Sequence, residues 1–122
     1  MQTRLDHLVI GARTLTEGVN YVRDLLGVDM PYGGVHPKMG THNHLMRLGK
    51  DIFLEIIAVN HDVEPPDRLR WFSLDDPFIR QQIEQQPSLL TWVVNTQDIK
   101  ALMSQSTFSL GKAELVSRGN LN

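Results

Sequence analysis

The stretch DIFLEIIAV, residues 51–59, is apolar at every position after Asp51 except one. Its length and its isoleucine and valine content read as a buried strand. Glu55 stands in the middle of it, and an ionised carboxylate is costly to bury unless it is paired or bound to a cation. HLMRL, residues 44–48, reads as the preceding strand, and Gly49, Lys50 and Asp51 supply the turn between them. A two-residue turn would place Glu55 on the face of His42, His44 and Met46. A three-residue turn would place it with Asn43, Leu45 and Arg47, because a one-residue slip flips every side chain. The sequence leaves both registers open. The plain alternatives for Glu55 are a water-facing position or a salt bridge to Arg47.

Toward the N-terminus, LDHLVI (residues 5–10) is a second strand that stops at Gly11. Thr14 and Glu17 have the spacing of a capping box at a helix start. Leu15, Val19, Val22, Leu25 and Leu26 then form one apolar helical stripe, and Gly27 follows where a C-cap glycine belongs. Residues 28–32 are expected to be extended, although Pro31 weakens them as a strand. GGVHPKMGTH, residues 33–42, reads as a loop from its glycines and proline. Residues 5–59 therefore read strand, helix, strand, strand, strand.

Toward the C-terminus, the prolines of VEPPDR exclude regular structure, and Asp76-Pro77 opens a short helix that Pro87 ends. Trp71 and Phe72 are expected to pack this connector onto the surface. LLTWVV (89–94) is a strand, 98–105 a helix and AELVS (113–117) a further strand. Laying RLDHLVIGA over SLLTWVVNT repeats the strand-then-helix order and sets Thr91 against His7. The expected organisation is a first module over 1–60, a connector over 61–88 and the start of a second module over 89–122. SRGNLN reads as the approach to another strand. The expectation is a truncated second module, or a sheet completed by a homodimer, since an open edge tends to pair with another chain.

With 122 residues, 41% of them hydrophobic, the chain can build one real core. A net charge of -2 without charge blocks gives no nucleic-acid footprint. The absence of cysteine removes disulfides, thiolate metal sites and cysteine catalysis. Arg4, Asp6 and His7 interrupt the region where a signal peptide needs an apolar core, and no apolar run reaches membrane-span length. A small, soluble, cytoplasmic protein without a membrane partner is expected. HPKMGTHNH (36–44) packs three histidines together, and in a strand His42 and His44 would share one face. The plain reading of His36 and His42 is a solvated loop. The plain reading of His7 is a core histidine bonded to backbone. A pairing of His7 with Asp6 is not expected, because neighbours in a strand point to opposite faces.

LDHLVIGARTL, GTHNHLMRLG and IFLEIIAV together resemble the glyoxalase-like proteins of the vicinal oxygen chelate (glyoxalase/bleomycin resistance/dioxygenase) superfamily. The resemblance covers the first half of the chain best, carried by Asp6-His7, Gly27, His36, Gly40-Thr41 with Asn43, and Leu54-Glu55. It implies an α+β fold of paired βαβββ modules, each a half-barrel sheet, here with an incomplete second module. It also implies that His7 and Glu55 hold a divalent metal (zinc, iron, manganese or nickel), with Glu55 as a candidate catalytic base. Thr41 and Asn43 would line the cup, and His36, Thr41, His42 and Asn43 are the candidate substrate-binding residues. The implied activity is that of a lyase, isomerase or dioxygenase on a small molecule with adjacent oxygens. Thr91, a poor ligand for such metals, departs from the pattern. The alternatives are a metal-free protein that sequesters small molecules and a structural dimerisation module.

Overall fold

The computed structural model describes residues 2–116. They form five strands and three helices, in the order β1 (Thr3–Gly11), α1 (Leu15–Leu26), β2 (Tyr32–His36), β3 (Thr41–Arg47), β4 (Phe53–Val59), α2 (Pro77–Gln85), β5 (Ser88–Thr96) and α3 (Ile99–Gln105). The strands make one sheet in the order β2-β3-β4-β1-β5. β1 runs parallel to β4, and every other neighbouring pair is antiparallel. The fold is α+β, and its first four strands with α1 are a βαβββ module.

The local signals for α1 operate as written in the sequence. The Thr14 hydroxyl accepts from the Glu17 amide at 3.1 Å, and Arg13 pairs with Glu17. Gly27 closes the helix at φ 70°, in the left-handed region where a side chain would be strained. The parallel β1/β4 pair needs such a crossover helix, and α1 supplies it.

The sheet has apolar packing on both faces. On one, Ala12 just after β1, Val22 of α1 and Met30 of the loop after it pack onto Leu54 and Ile56. On the other, the connector and α2 bring Leu74 and Ile83 onto Val9 and Ile57. This explains why 52–59 reads as almost continuously apolar: β4 is central and covered on both sides. Ile56 and Ile57 are fully buried, each worth about 1.5–3 kcal/mol of stabilisation.

Three expectations need correction. The strand placed at 28–32 forms at Tyr32–His36, inside the expected loop, and β3 starts at Thr41 rather than 44. The glycines are the reason. A Cβ on Gly33 would strike the Asn43 side chain, so this edge strand approaches β3 closely only because it lacks one. Second, residues 113–116 form no strand; residue 117 and SRGNLN lie outside the described residues. Third, Trp92, whose aromatic side chain in the LLTWVV strand leads one to expect a packing residue like Trp71 and Phe72, is 71% exposed, on the face of β5 that pairs with Leu8.

Gly18 faces Ile56 so closely that an added Cβ would overlap it. Alanine favours helix over glycine by about 1 kcal/mol, but overpacking a rigid core costs about 1–3 kcal/mol. Ile56 is fully buried and has nowhere to move. Gly18→Ala should therefore lower the urea midpoint; an unchanged or raised midpoint would show that α1 can shift away from β4.

Candidate functional site

The turn question is settled by pairing. Arg47 opposes Phe53 and Leu45 opposes Glu55, so residues 48–52 form the connection. Glu55 lies with Asn43 and Leu45, on the sheet face turned away from α1. The side chains of His7, His36, Asn43 and Glu55 meet there in a cavity of about 480 Å³. Leu45, Phe53, Trp71, Phe72 and Val93 supply its apolar walls.

Glu55 is only 5% exposed, and both of its oxygens are engaged. Oε2 accepts from Asn43 Nδ2 at 2.6 Å, and Oε1 lies 3.3 Å from His7 Nε2. The Asn43 carbonyl oxygen accepts from the Gly34 amide at 3.0 Å, which fixes the side chain with its NH2 toward Glu55. The same NH2 reaches His36 Nε2 at 3.3 Å, and His36 Nδ1 contacts the Thr41 hydroxyl at 2.9 Å. A buried polar chain therefore runs Thr41–His36–Asn43–Glu55–His7.

The chain does not stop at His7. Its Nδ1 lies 2.6 Å from Asp6 Oδ1, contrary to expectation. The β1/β5 register shifts between Leu5 and His7, so Asp6 is the extra residue of a bulge. A bulge breaks the strict alternation of side chains and re-aims one of them. Asp6 lines the same cavity as His7, and Asn95 holds its second oxygen at 2.8 Å. An ionised carboxylate can only accept, so Nδ1 carries the hydrogen and Nε2 is the ring atom turned toward Glu55.

The charges follow. Hydrogen bonds from Asn95 and His7 lower the Asp6 pKa, outweighing burial. For Glu55 burial is the largest influence and raises its pKa, but the hydrogen bonds from His7 and Asn43 and the His7 charge together carry it below its usual value. The His7 pKa is raised, chiefly by Glu55, with Asp6 adding to it against the effect of burial. Metal-free, the His7 ring sits between two carboxylates that favour its protonated form.

The other expected site residues divide. His36, Thr41 and Asn43 share this network. His42 lies on the opposite face of β3, against Ala58, where burial lowers its pKa. His44 shares that face, contacting the Met30 carbonyl at 3.0 Å. Alternation along β3 separates 41 and 43 from 42 and 44.

Trp71 and Phe72 come from the connector and wall the cavity. Trp71 meets His36 edge-on at 5.0 Å between ring centroids. Phe72 and Ser73 both have positive φ, 58° and 57°. Such residues cost about 1–3 kcal/mol each and persist where the surroundings impose them. Asp75 imposes them here, accepting from the Arg70 amide at 2.7 Å and its guanidinium at 2.6 Å, while Leu74 is driven fully into the core. The adjacent aromatics in WF were the sequence signal for this wall; nothing in the sequence signalled the bulge at Asp6.

Comparison with known proteins places this architecture. A family described as Glyoxalase-like domain matches residues 5–119, and the chain belongs to that family. No curated protein sequence matches the chain. Its fold is similar to methylmalonyl-CoA epimerase from Mycobacterium tuberculosis, 15% identical, with a TM-score of 0.55 and coverage of 83% of this chain and 60% of that one. It is also similar to a single-residue variant of the Streptomyces coelicolor methylmalonyl-CoA epimerase in complex with 2-nitronate-propionyl-CoA, 16% identical, TM-score 0.55, covering 85% and 67%. A hypothetical protein from Bacillus halodurans C-125 is 11% identical, TM-score 0.57, covering 86% and 67%. The chain thus spans roughly three fifths to two thirds of the length of these structures.

The coupled shifts give a stability window. The raised His7 pKa contributes stability that is complete below the ordinary value of 6.5 and is lost as pH rises through the higher folded value. The lowered Glu55 and Asp6 pKa values contribute stability present above 4.5 and 3.8 and lost as pH falls through their folded values. Both contributions are complete between 4.5 and 6.5. The stability difference between wild type and His7→Ala should peak in that window. By NMR, His7 of the metal-free protein should titrate above 6.5 and move down in Glu55→Gln; an unmoved midpoint would disprove the pairing.

Proposed function

We propose that His7 and Glu55 hold a divalent metal ion and that the chain acts with it on a small molecule carrying adjacent oxygens. One observation carries the reading: His7 Nε2 and Glu55 Oε1 face each other at 3.3 Å, with their outer atoms already held by Asp6 and Asn43. Two donors at about 2.1 Å from one ion at a tetrahedral angle stand about 3.4 Å apart, so the pair fits an ion in place of the shared proton. Asp6 would then be the outer partner that orients a ligating imidazole. Among the described residues no group of three His, Asp or Glu side chains could hold a metal. The remaining positions fall to substrate oxygens, water or donors outside these residues. Zinc, iron, manganese and nickel all suit an imidazole–carboxylate pair.

When bound, such an ion polarises a carbonyl and stabilises the negative charge that develops on it. The residues of the chain do the rest. Trp71 and Phe72 exclude water from one side of the cavity. Asp6 and Glu55 are the two carboxylates that line it, and both Asp6 oxygens are committed to His7 and Asn95. Both Glu55 oxygens are engaged as well, but Oε1 is held only by the longer contact to His7, and it is the candidate base for a proton removed from a substrate carbon. Lyases and isomerases of carbonyl compounds need this step, as does the epimerisation named in the similar structures. Chemistry of the dioxygenase type would use the metal pair and leave Glu55 a ligand only.

A second reading is metal-free sequestration of an apolar small molecule. It is favoured by the five apolar walls and by Thr91. β1 pairs with β5 so that Leu8 faces Trp92, His7 faces Val93 and Val9 faces Thr91. A two-fold axis through the Leu8–Trp92 pair therefore carries His7 onto Thr91, whose hydroxyl donates to the Trp92 carbonyl at 3.0 Å and not into the cavity. β5 also ends the sheet with an unpaired edge among the described residues, which favours a homodimer as partner.

Cobalt(II) titration followed by visible absorption separates the readings. Wild type should bind about one equivalent, His7→Ala and Glu55→Ala should lose it, and Asp6→Asn should weaken it by about 10–100-fold. Absence of metal binding in wild type, with an aromatic ligand bound equally well by wild type and His7→Ala, would leave sequestration as the function.

A further inference from the structure

A second cavity, of about 340 Å³, adjoins the first: Asp6 and Phe53 line both. Its character is opposite. Arg4, Arg47 and Lys50 line it, and none has a carboxylate within ion-pair distance among the described residues. Asp6 and Asp51 are the carboxylates there. Asp6 cannot neutralise the three cations, because its oxygens already serve His7 and Asn95. That leaves three cations against one uncommitted carboxylate. Arg47 stands at the shared wall, its guanidinium carbon 5.7 Å from the centre of the Phe53 ring.

Like charges gathered without partners repel, and an anion placed among them relieves that cost. A cationic cleft that opens beside a reaction cavity also raises the local concentration of anionic substrates. Phosphate and carboxylate are the groups that arginine and lysine bind through charge-assisted hydrogen bonds.

We propose that this second cavity is a tail subsite, binding a phosphate or carboxylate at the far end of a substrate whose apolar body lies against Phe53, Trp71 and Phe72. The substrate is then an elongated molecule with an anionic tail, an apolar middle and a reactive end at His7 and Glu55. This rests on the reading of the His7–Glu55 cavity as a substrate site, although it does not require a metal there.

Metal-free protein carrying Trp92→Phe leaves one tryptophan, so the indole NH signal of Trp71 reports the first cavity, where the apolar body would lie, by nitrogen-15 NMR. Pentyl phosphate, hexanoate and 1-pentanol would be titrated in turn. At least one anion should bind tenfold or more tightly than the alcohol, and which one does identifies the tail. Arg4→Gln, Arg47→Gln and Lys50→Gln combined should abolish the difference and leave pentanol binding unchanged; these positions are exposed, and a thermal melt confirms folding. Added salt should weaken the anion and not the alcohol. Equal binding of all three, binding of none, or an advantage that survives the triple change would overturn the proposal. His7→Ala separates the two readings: it should abolish metal binding yet keep the preference for the anion.

Discussion

The buried carboxylate of Glu55 is the constraint around which the site is organised. Left unpaired in the centre of a two-face-covered strand, it would protonate or destabilise the fold by several kcal/mol. The structure surrounds it instead. Asn43 supplies one hydrogen bond, and Gly34 holds Asn43 in the orientation that makes this possible. Gly33 leaves room for β2 to come near enough for Gly34 to do so. His7 supplies the positive partner, and Asp6 turns the ring the right way. Two glycines on an edge strand and a bulge in β1 thus follow from one acidic residue in β4.

This dependence explains what the sequence disclosed. Elements defined by contacts between near neighbours were legible: the Thr14 cap, the Gly27 stop, the Asp76-Pro77 start and the apolar run of β4. The strand, helix, strand, strand, strand order of residues 5–59 was legible in the residues themselves, and the nearness of His7 to Glu55 through the family resemblance. Features defined by a distant partner were not. Gly33 and Gly34 look like loop residues until Asn43 stands beside them. The register of Glu55 depended on the length of the 48–52 connection, which adjacent residues do not determine. Strand alternation sets Asp6 aside, but the bulge suspends that rule, and the bulge is a property of the β1/β5 pair.

The two faces of the sheet divide the work. The α1 face is closed by complementary packing, with Gly18 against Ile56 as its tightest point. The other face is closed by α2 at one end only. At the other end the connector does not fill the space; it walls it with Trp71 and Phe72, in a backbone conformation that the Arg70–Asp75 pair and the buried Leu74 must enforce. The aromatic pair packs against the edge of the Val9, Ile57, Leu74 and Ile83 core and at the same time walls the cavity, a double placement that can account for the strain.

The relation between β1 and β5 limits what the site can do alone. The two-fold axis that carries His7 onto Thr91 turns the strand that contributes an imidazole into one that contributes none. The polar network draws on β1 to β4 and on Asn95 of β5, which holds Asp6. A metal bound here would have only His7 Nε2 and Glu55 Oε1 from the described residues, so its affinity would depend strongly on the oxygens a substrate brings. Metal and substrate would then bind co-operatively, each completing the coordination of the other, and by linkage each must strengthen the other's binding by the same factor. A site of this kind stays weakly loaded until the right molecule arrives, and in it the bidentate shape of the substrate becomes part of the binding chemistry.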